Sequence, residues 1–345
     1  MGLKTQKIRI QNAKRWKKAF LRYLCGSKET SYDKERFHVI EGFAKSKIRL
    51  ISKARPSKKK EGSILICVIR NEIERIPAFL NHYRNIGIKR FAVIDNGSTD
   101  GTVNFLTKQK DVDLFQVKDR FGSRIKVGWI NRIIAYYGTE YWYLVVDADE
   151  LFVWQGVEEC CIQDVVSYLD REKITRARAL MVDMYSKEST WNQNETFDEV
   201  FPECRYFDYN TYYHKNAEDV YLLCGGPRNR VFGMEVWLTK YPLFRLREDE
   251  IMSHAHALFP YSNKKTPCFF ALLHYKFMTK TDQIKMKKYA REGNYIHGSA
   301  EYKLYVKKYN INHNSFHFYY PESEEYQSSK SLSKIKEMDK IAMLS

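Results

Sequence analysis

Two carboxylates, Asp147 and Asp149, close the run Tyr141-Trp-Tyr-Leu-Val-Val146. An aromatic and β-branched run of this kind reads as a buried strand. Alternation along an extended chain would turn both acids to one side. In an open α/β sheet, ligands sit in the crevice outside the carboxyl ends of the strands. Two neighbouring carboxylates repel each other unless a cation lies between them. Hard divalent ions take oxygen ligands, and Mg²⁺ commonly combines one or two carboxylates with substrate phosphates. The chemistry implied is a metal–diphosphate site. The competing reading is a solvated acidic turn, and Asp-x-Asp alone does not separate the two.

A second group is Gly225-Gly226-Pro-Arg228-Asn-Arg230. Two glycines permit close backbone approach, and an arginine there can fork onto phosphate oxygens. A surface salt bridge is the alternative for either Arg228 or Arg230. His256 and His274 sit beside apolar residues, where a lone histidine is usually a hydrogen-bonded core residue.

The elements that must position these groups alternate in type. Ser63–Ile69 is an apolar strand. Apolar residues at 76, 79, 80, 83 and 86 then give a helix over 73–86, which Gly87 stops. A strand over 89–94 ends in Asp95-Asn-Gly-Ser-Thr-Asp-Gly-Thr102, where Ser98 or Thr99 can cap the next helix. A strand at 112–117, a helix at 122–137 and the Asp147 strand follow. Strand–helix alternation with short turns predicts an α/β fold: a mostly parallel sheet with helices on both faces. Beyond it come a helix at 162–169, a strand at 177–185 and an irregular stretch at 186–222. That stretch is rich in rings suited to stacking on sugars: Trp191, Phe207, Tyr209, Tyr212 and Tyr213. A basic helix is expected at 281–292 and a polar helix at 325–343. Neither a G-x-G-x-x-G nor a Walker A pattern occurs.

Asn71-Glu72, then Asp95 to Thr102, then Val146-Asp-Ala-Asp-Glu150, each at a strand end, resemble nucleotide-sugar glycosyltransferases of the Rossmann-like GT-A fold. The resemblance is to the family-two-like branch of bacterial surface-polysaccharide clusters, and it covers about 65–277. It implies a hexosyltransferase that moves a sugar, UDP-linked, to a hydroxyl of a glycan or lipid-linked acceptor with inversion. It implies that Asp95 contacts uracil or ribose, and that Asp147 and Asp149 serve Mn²⁺ or Mg²⁺. A C-terminal histidine, His274 with His254 as runner-up, would complete the metal site. Imidazole ligation would favour Mn²⁺. Arg124 is a further nucleotide candidate, against a plain helix-surface arginine. Asn71 is another, against a cap for the helix at 73–86. Gly-Gly-x-Arg-x-Arg and the segment around Lys240 recur in the same branch. Inversion requires a carboxylate base, for which Asp183, Asp208 and Glu203 are the candidates, against capping or surface roles.

Charge is unevenly placed. Residues 1–60 carry 19 Lys and Arg against 4 Asp and Glu, while the other 285 residues carry 39 against 38. The expected organisation is a basic helical arm at 1–60 with a linker at 56–62, a catalytic domain at 61–295 and a helical tail at 296–345. Residues 7–24 fit a basic amphipathic helix whose apolar stripe either docks on the body or lies on an anionic membrane. Nucleic acid is not the expected partner, because the body lacks a basic surplus. The seven cysteines are scattered, which points to free thiols and a reducing compartment. With no export signal and no run of about 20 apolar residues, the expectation is a cytoplasmic protein, peripheral on the inner face of the cell membrane. Two other classes remain. A metal-dependent phosphoesterase would need a denser Asp/His cluster. A non-catalytic basic protein would act through residues 1–60 alone, so their removal would abolish its activity and leave a transferase soluble and active.

Overall fold

The structure is a computed structural model that describes residues 6–25, 36–55, 62–188, 196–217, 220–261, 266–311 and 316–341. Most of the expected linker at 56–62, and Trp191, lie outside these residues.

In chain order the first elements are β1 (Gln6–Lys7), α1 (Ala13–Cys25), α2 (Arg36–Ala44) and β2 (Arg49–Ser52). Next come β3 (Ile64–Ile69), α3 (Ile76–Asn85), β4 (Arg90–Asp95), α4 (Thr102–Leu106), β5 (Val112–Gln116), α5 (Ser123–Tyr137) and β6 (Tyr143–Val145). The middle of the chain holds β7 (Glu150–Trp154), α6 (Ile162–Arg171), β8 (Arg178–Asp183), α7 (Phe197–Val200), β9 (Tyr206–Phe207), β10 (Tyr212–Ala217), β11 (Val220–Gly225) and α8 (Gly226–Phe232). The rest is β12 (Thr239–Lys240), β13 (Leu243–Phe244), β14 (Ile251–His254), β15 (Ala257–Phe259), β16 (Cys268–His274), α9 (Lys280–Glu292), α10 (Ile296–Ile311) and β17 (Glu324–Glu325).

The central sheet runs β1-β2-β5-β4-β3-β6-β13. Its middle, β5-β4-β3-β6, is parallel, and antiparallel strands finish both sides. Strand alternation explains the layers. Leu65, Cys67, Ile69, Phe91 and Val93 face one core with Phe79, Leu80 and Tyr83 of α3 and Leu169 of α6. Ile64, Ile66, Ala92 and Ile94 face the other, with α1, α2 and α5. A second sheet, β12-β8-β16-β7, lies beside it. There β16 pairs antiparallel with β7 and parallel with β8.

The amphipathic stripe of the N-terminal segment is buried. Trp16, Ala19, Phe20 and Tyr23 of α1 pack with Phe43 of α2 and Ile130, Ile133 and Ile134 of α5. β2 pairs with β5 through Leu50 and Phe115. Docking on the body is thus the alternative realised for this stripe, and the segment supplies edge strands to the main sheet.

Three expectations are corrected. The stretch at 186–222 is not irregular among its described residues, because β10 and β11 form an antiparallel hairpin. No α-helix occupies 325–343 among the described residues; β17 and a 3₁₀ turn at Ser329–Lys334 stand there instead. The strand before Asp147 stops at Val145, and Asp149 lies in the turn between β6 and β7. Simple alternation therefore does not carry through to Asp149.

Candidate active site

Asp147 leaves the end of β6 and meets two lysines. Lys126 Nζ, from α5, donates to Asp147 Oδ1 at 2.6 Å, and Lys240 Nζ, from β12, donates to Oδ2 at 3.1 Å. Lys240 also pairs with Glu150, which is buried. Burial would raise the Asp147 pKa, but the two ammonium groups outweigh it and hold the carboxyl well below the usual carboxylate range. Burial likewise opposes the charge on Lys240, and Asp147 and Glu150 override it, raising its pKa. The Asp147 side chain keeps 34% of its surface exposed, so its charge still reaches the crevice.

Asp149 is 29% exposed and has a different neighbour. Its Oδ2 lies 3.5 Å from His274 Nε2. On the far side of the ring, His274 Nδ1 donates to Asp183 Oδ1 at 2.6 Å. Arg228 Nε donates to Asp183 Oδ2 at 2.8 Å, and Arg228 Nη1 donates to Glu301 Oε1 at 3.1 Å. Burial works against charge on Asp149 and Asp183, but the cations beside them win and both pKa values fall. For His274, burial is outweighed by Asp149 and Asp183, so its pKa rises. Lys276 Nζ, two residues further on, donates to Glu301 at 2.8 Å.

The two glycines at 225 and 226 make this chain of contacts possible. Gly225 and Gly226 have φ of 108° and 74°, which side-chain-bearing residues rarely adopt. A Cβ on Gly225 would stand 2.1 Å from the Thr211 carbonyl oxygen. This turn starts α8, and α8 delivers Arg228 to Asp183 and Arg230 to Asp208.

At the carboxyl ends of β3, β4 and β5, a cavity of about 590 Å³ is lined by the cations Arg70, Lys118 and Arg120, the acids Asp119 and Glu292, and Asn96, Gly97, Phe121 and Asn294. Asp95 shapes its wall. Its oxygens accept from Gly97 N (3.1 Å), Ser98 N (3.0 Å) and Gln116 Nε2 (3.3 Å), and the residue is buried. Asn71 has φ of 57° and accepts from Thr99 N at 2.7 Å. It ties β3 to the Asp95 loop and does not cap α3, whose first residue follows Arg75.

Other candidates take structural posts. Both Asp208 oxygens are engaged, by Tyr185 Oη (2.6 Å), Thr211 Oγ1 (3.1 Å) and the Arg230 fork (2.9 and 3.0 Å). Asp183 is engaged through both oxygens as well. Neither arrangement suits a base, which needs an uncommitted oxygen facing the acceptor. Glu203 is exposed in a 3₁₀ turn. Arg124 is buried rather than on a helix surface, with Nη1 3.4 Å from the Ser253 carbonyl. His254 is buried and accepts from His256 N at 3.2 Å. Phe207 and Tyr212 are core residues, whereas Tyr213 is exposed.

The expected metal set, Asp147 with Asp149 and His274, is divided by the two lysines. Among the described residues no group of three or more His, Cys, Asp and Glu is arranged to hold a metal ion. Asp149 and His274 do fit one as a pair. The Asp183 carboxylate behind the ring is the support that metal-ligating histidines normally have, and a magnesium-type site needs few protein ligands when phosphates supply the rest. Asp147 does not fit, because both its oxygens already meet ammonium groups. Sequence reasoning missed Lys126, Lys276, Glu301, Arg70, Lys118 and Arg120. The last three stand at the ends of the expected strands, and that placement was the available signal.

No protein-family model and no curated protein matches the chain. Among solved structures, the crystal structure of HddC from Yersinia pseudotuberculosis is similar over 65% of this chain and 97% of its own, at 9% identity and a TM-score of 0.31. That likeness is too low to carry an argument about family or function.

Proposed function

We propose that this chain is a glycosyltransferase that moves a sugar from a nucleotide diphosphate donor, UDP-linked, to a hydroxyl of a glycan or lipid-linked glycan. One observation carries the reading. The cavity lined by Arg70, Lys118 and Arg120 and the acidic turn of Asp147 and Asp149 share one edge of the parallel strands. That edge is where an α/β sheet receives its ligand. Three cations there outnumber the two acids, Asp119 and Glu292, and suit the nucleotide and its phosphates. Asp149 and His274 would hold Mn²⁺ or Mg²⁺, which when bound neutralises charge on the departing diphosphate as a Lewis acid. Asp183 keeps the His274 ring turned so that Nε2 faces Asp149, and Arg228 holds Asp183 in place. Lys126 and Lys240 hold Asp147 ionised and fix its place in the turn.

Thermal unfolding with UDP, GDP or CMP, each with and without Mn²⁺, tests this on the wild type and Asp149→Asn. A ligand that binds only the folded state stabilises it by about 2.7 kcal/mol at a hundredfold excess over Kd. UDP with Mn²⁺ should raise Tm in the wild type, and the Mn²⁺-dependent part should vanish in Asp149→Asn. If no nucleotide moves the wild-type Tm under either condition, the proposal is wrong.

A further inference from the structure

The N-terminal segment keeps its charge on the outside after its apolar stripe is buried. Trp16, Ala19, Phe20 and Tyr23 turn inward on α1, while Lys14, Lys17, Lys18, Leu21 and Arg22 are exposed. Lys14, Lys18 and Leu21 follow one another at helical i+4 and i+3 steps, so they form a single outer ridge. Arg22 pairs with Asp249. No ion pair links Lys14, Lys17 or Lys18 to a carboxylate among the described residues.

Two large apolar side chains are exposed here, Leu21 on this ridge and Phe37 at the start of α2. Leu21 is 50% exposed and Phe37 is 67% exposed. Arg36 Nη1 donates to the carbonyls of Tyr23 (3.1 Å) and Leu24 (2.6 Å), which brings the start of α2 against the last turn of α1. The exposed phenyl ring and the three lysines, which have no ion-pair partner among the described residues, are left for a surface outside the fold. An anionic bilayer accepts both parts: lysines at the phosphate level and the two apolar tips among the upper acyl carbons.

We infer that this ridge docks the protein on an anionic lipid surface. The contact is shallow, because the hydrophobic face that would let α1 lie embedded is already spent on the body. The basic surplus lies in the segment that carries this ridge, since the chain after residue 60 carries 39 positive against 38 negative residues. A nucleic acid would match the lysines but leave Leu21 and Phe37 without a function, so lipid is the occupant that accounts for both. The inference does not depend on the proposed catalytic reading and can fail or hold separately.

Co-sedimentation of the full chain with vesicles tests it. One set is phosphatidylcholine alone; the other is phosphatidylcholine mixed with phosphatidylglycerol. The protein should pellet only with the anionic set and be released as salt screens the charge. Each surface lysine contributes about fivefold to such binding, so Lys14→Ala/Lys17→Ala/Lys18→Ala should weaken it on the order of a hundredfold. Phe37→Ser should weaken it about tenfold. Both variants should keep the wild-type Tm, because the changed side chains are exposed. A charge-matched variant at the amino ends of β4 and β5, away from α1 in the chain, Lys89→Ala/Lys108→Ala/Lys110→Ala, should bind like the wild type. The inference is overturned if anionic vesicles fail to pellet the wild type, if neutral vesicles pellet it equally well, or if the triple-lysine variant binds unchanged. Tighter binding of an RNA or DNA oligonucleotide through these same lysines would also overturn it and make the ridge a nucleic-acid surface.

Discussion

Lys240 holds two carboxylates at once, Asp147 and the buried Glu150. Removing its charge leaves Glu150 enclosed without a cation, and breaking a buried pair from one side is among the costlier single changes. Lys240→Met should destabilise the fold by about 3–5 kcal/mol in urea unfolding. Lys240→Met/Glu150→Gln should recover a large part of that loss, because the uncompensated charge is gone. Equal stability of the two variants would show that Glu150 does not depend on Lys240. At this scale the acids were legible in the sequence and their partners were not. Asp147, Asp149 and Asp95 stand at the ends of apolar runs, which marks them. Lys126 lies on the surface pattern of a helix, and nothing in its local sequence separates it from any other solvated lysine. The metal set expected from Asp147, Asp149 and His274 was incomplete for the same reason: the competing cations come from two distant elements.

The hairpin of β14 and β15 shows how an element sets a pH response. Burial pushes His254 far below the usual histidine range, with Arg124 adding to it. Burial, then Lys240, pushes His256 down to about 4. Both rings stay neutral in the folded protein, while in the unfolded chain they titrate near pH ~6.5. Below that pH the unfolded state binds more protons, so stability must fall as the pH drops from about 6.5 toward about 4. Urea unfolding at about pH 7 and about pH 5 should show the loss, and His254→Gln/His256→Gln should flatten it. A wild type equally stable at both values would mean that the rings are not held neutral. Elements with long apolar runs, such as β3, β4 and α5, were legible because one physical requirement, burial between two helical layers, dictates the whole segment. The β10–β11 hairpin was hidden by side chains such as Tyr213, His214 and Lys215, which break any apolar period. The region after 325 misled differently. Leu332, Ile335, Met338 and Ile341 recur every third residue and are all buried, which mimics a helix, but the chain satisfies the spacing with a 3₁₀ turn and irregular backbone.

At the scale of the molecule, the basic charge at 1–60 reads as an appendage in the sequence and is built into the fold in the structure. α2 and α5 meet backbone to backbone at two glycines. A Cβ on Gly42 would lie 2.3 Å from Ile125 O, and one on Gly128 would lie 2.3 Å from Val39 O. Removing residues 1–55 would take α1 and α2 off α5 and β2 off the β5 edge, uncovering apolar side chains of the core they share, such as Ile130, Ile133 and Phe115. The truncated protein should aggregate or bind a hydrophobic dye strongly, in contrast to the soluble, active product that a detachable arm would leave. A monomeric truncation with wild-type Tm would contradict this. The second sheet has a consequence of its own in time. β16 inserts between β7 and β8, and His274 rides on its end. During synthesis the strands carrying Asp147, Asp149 and Asp183 all emerge well before β16 does, and N-terminal parts begin to fold first. A growing chain therefore displays Asp149 and Asp183 with no histidine between them. That contact is assembled late, onto a scaffold already laid down, and any cation in the surrounding solution meets Asp149 before its imidazole neighbour arrives.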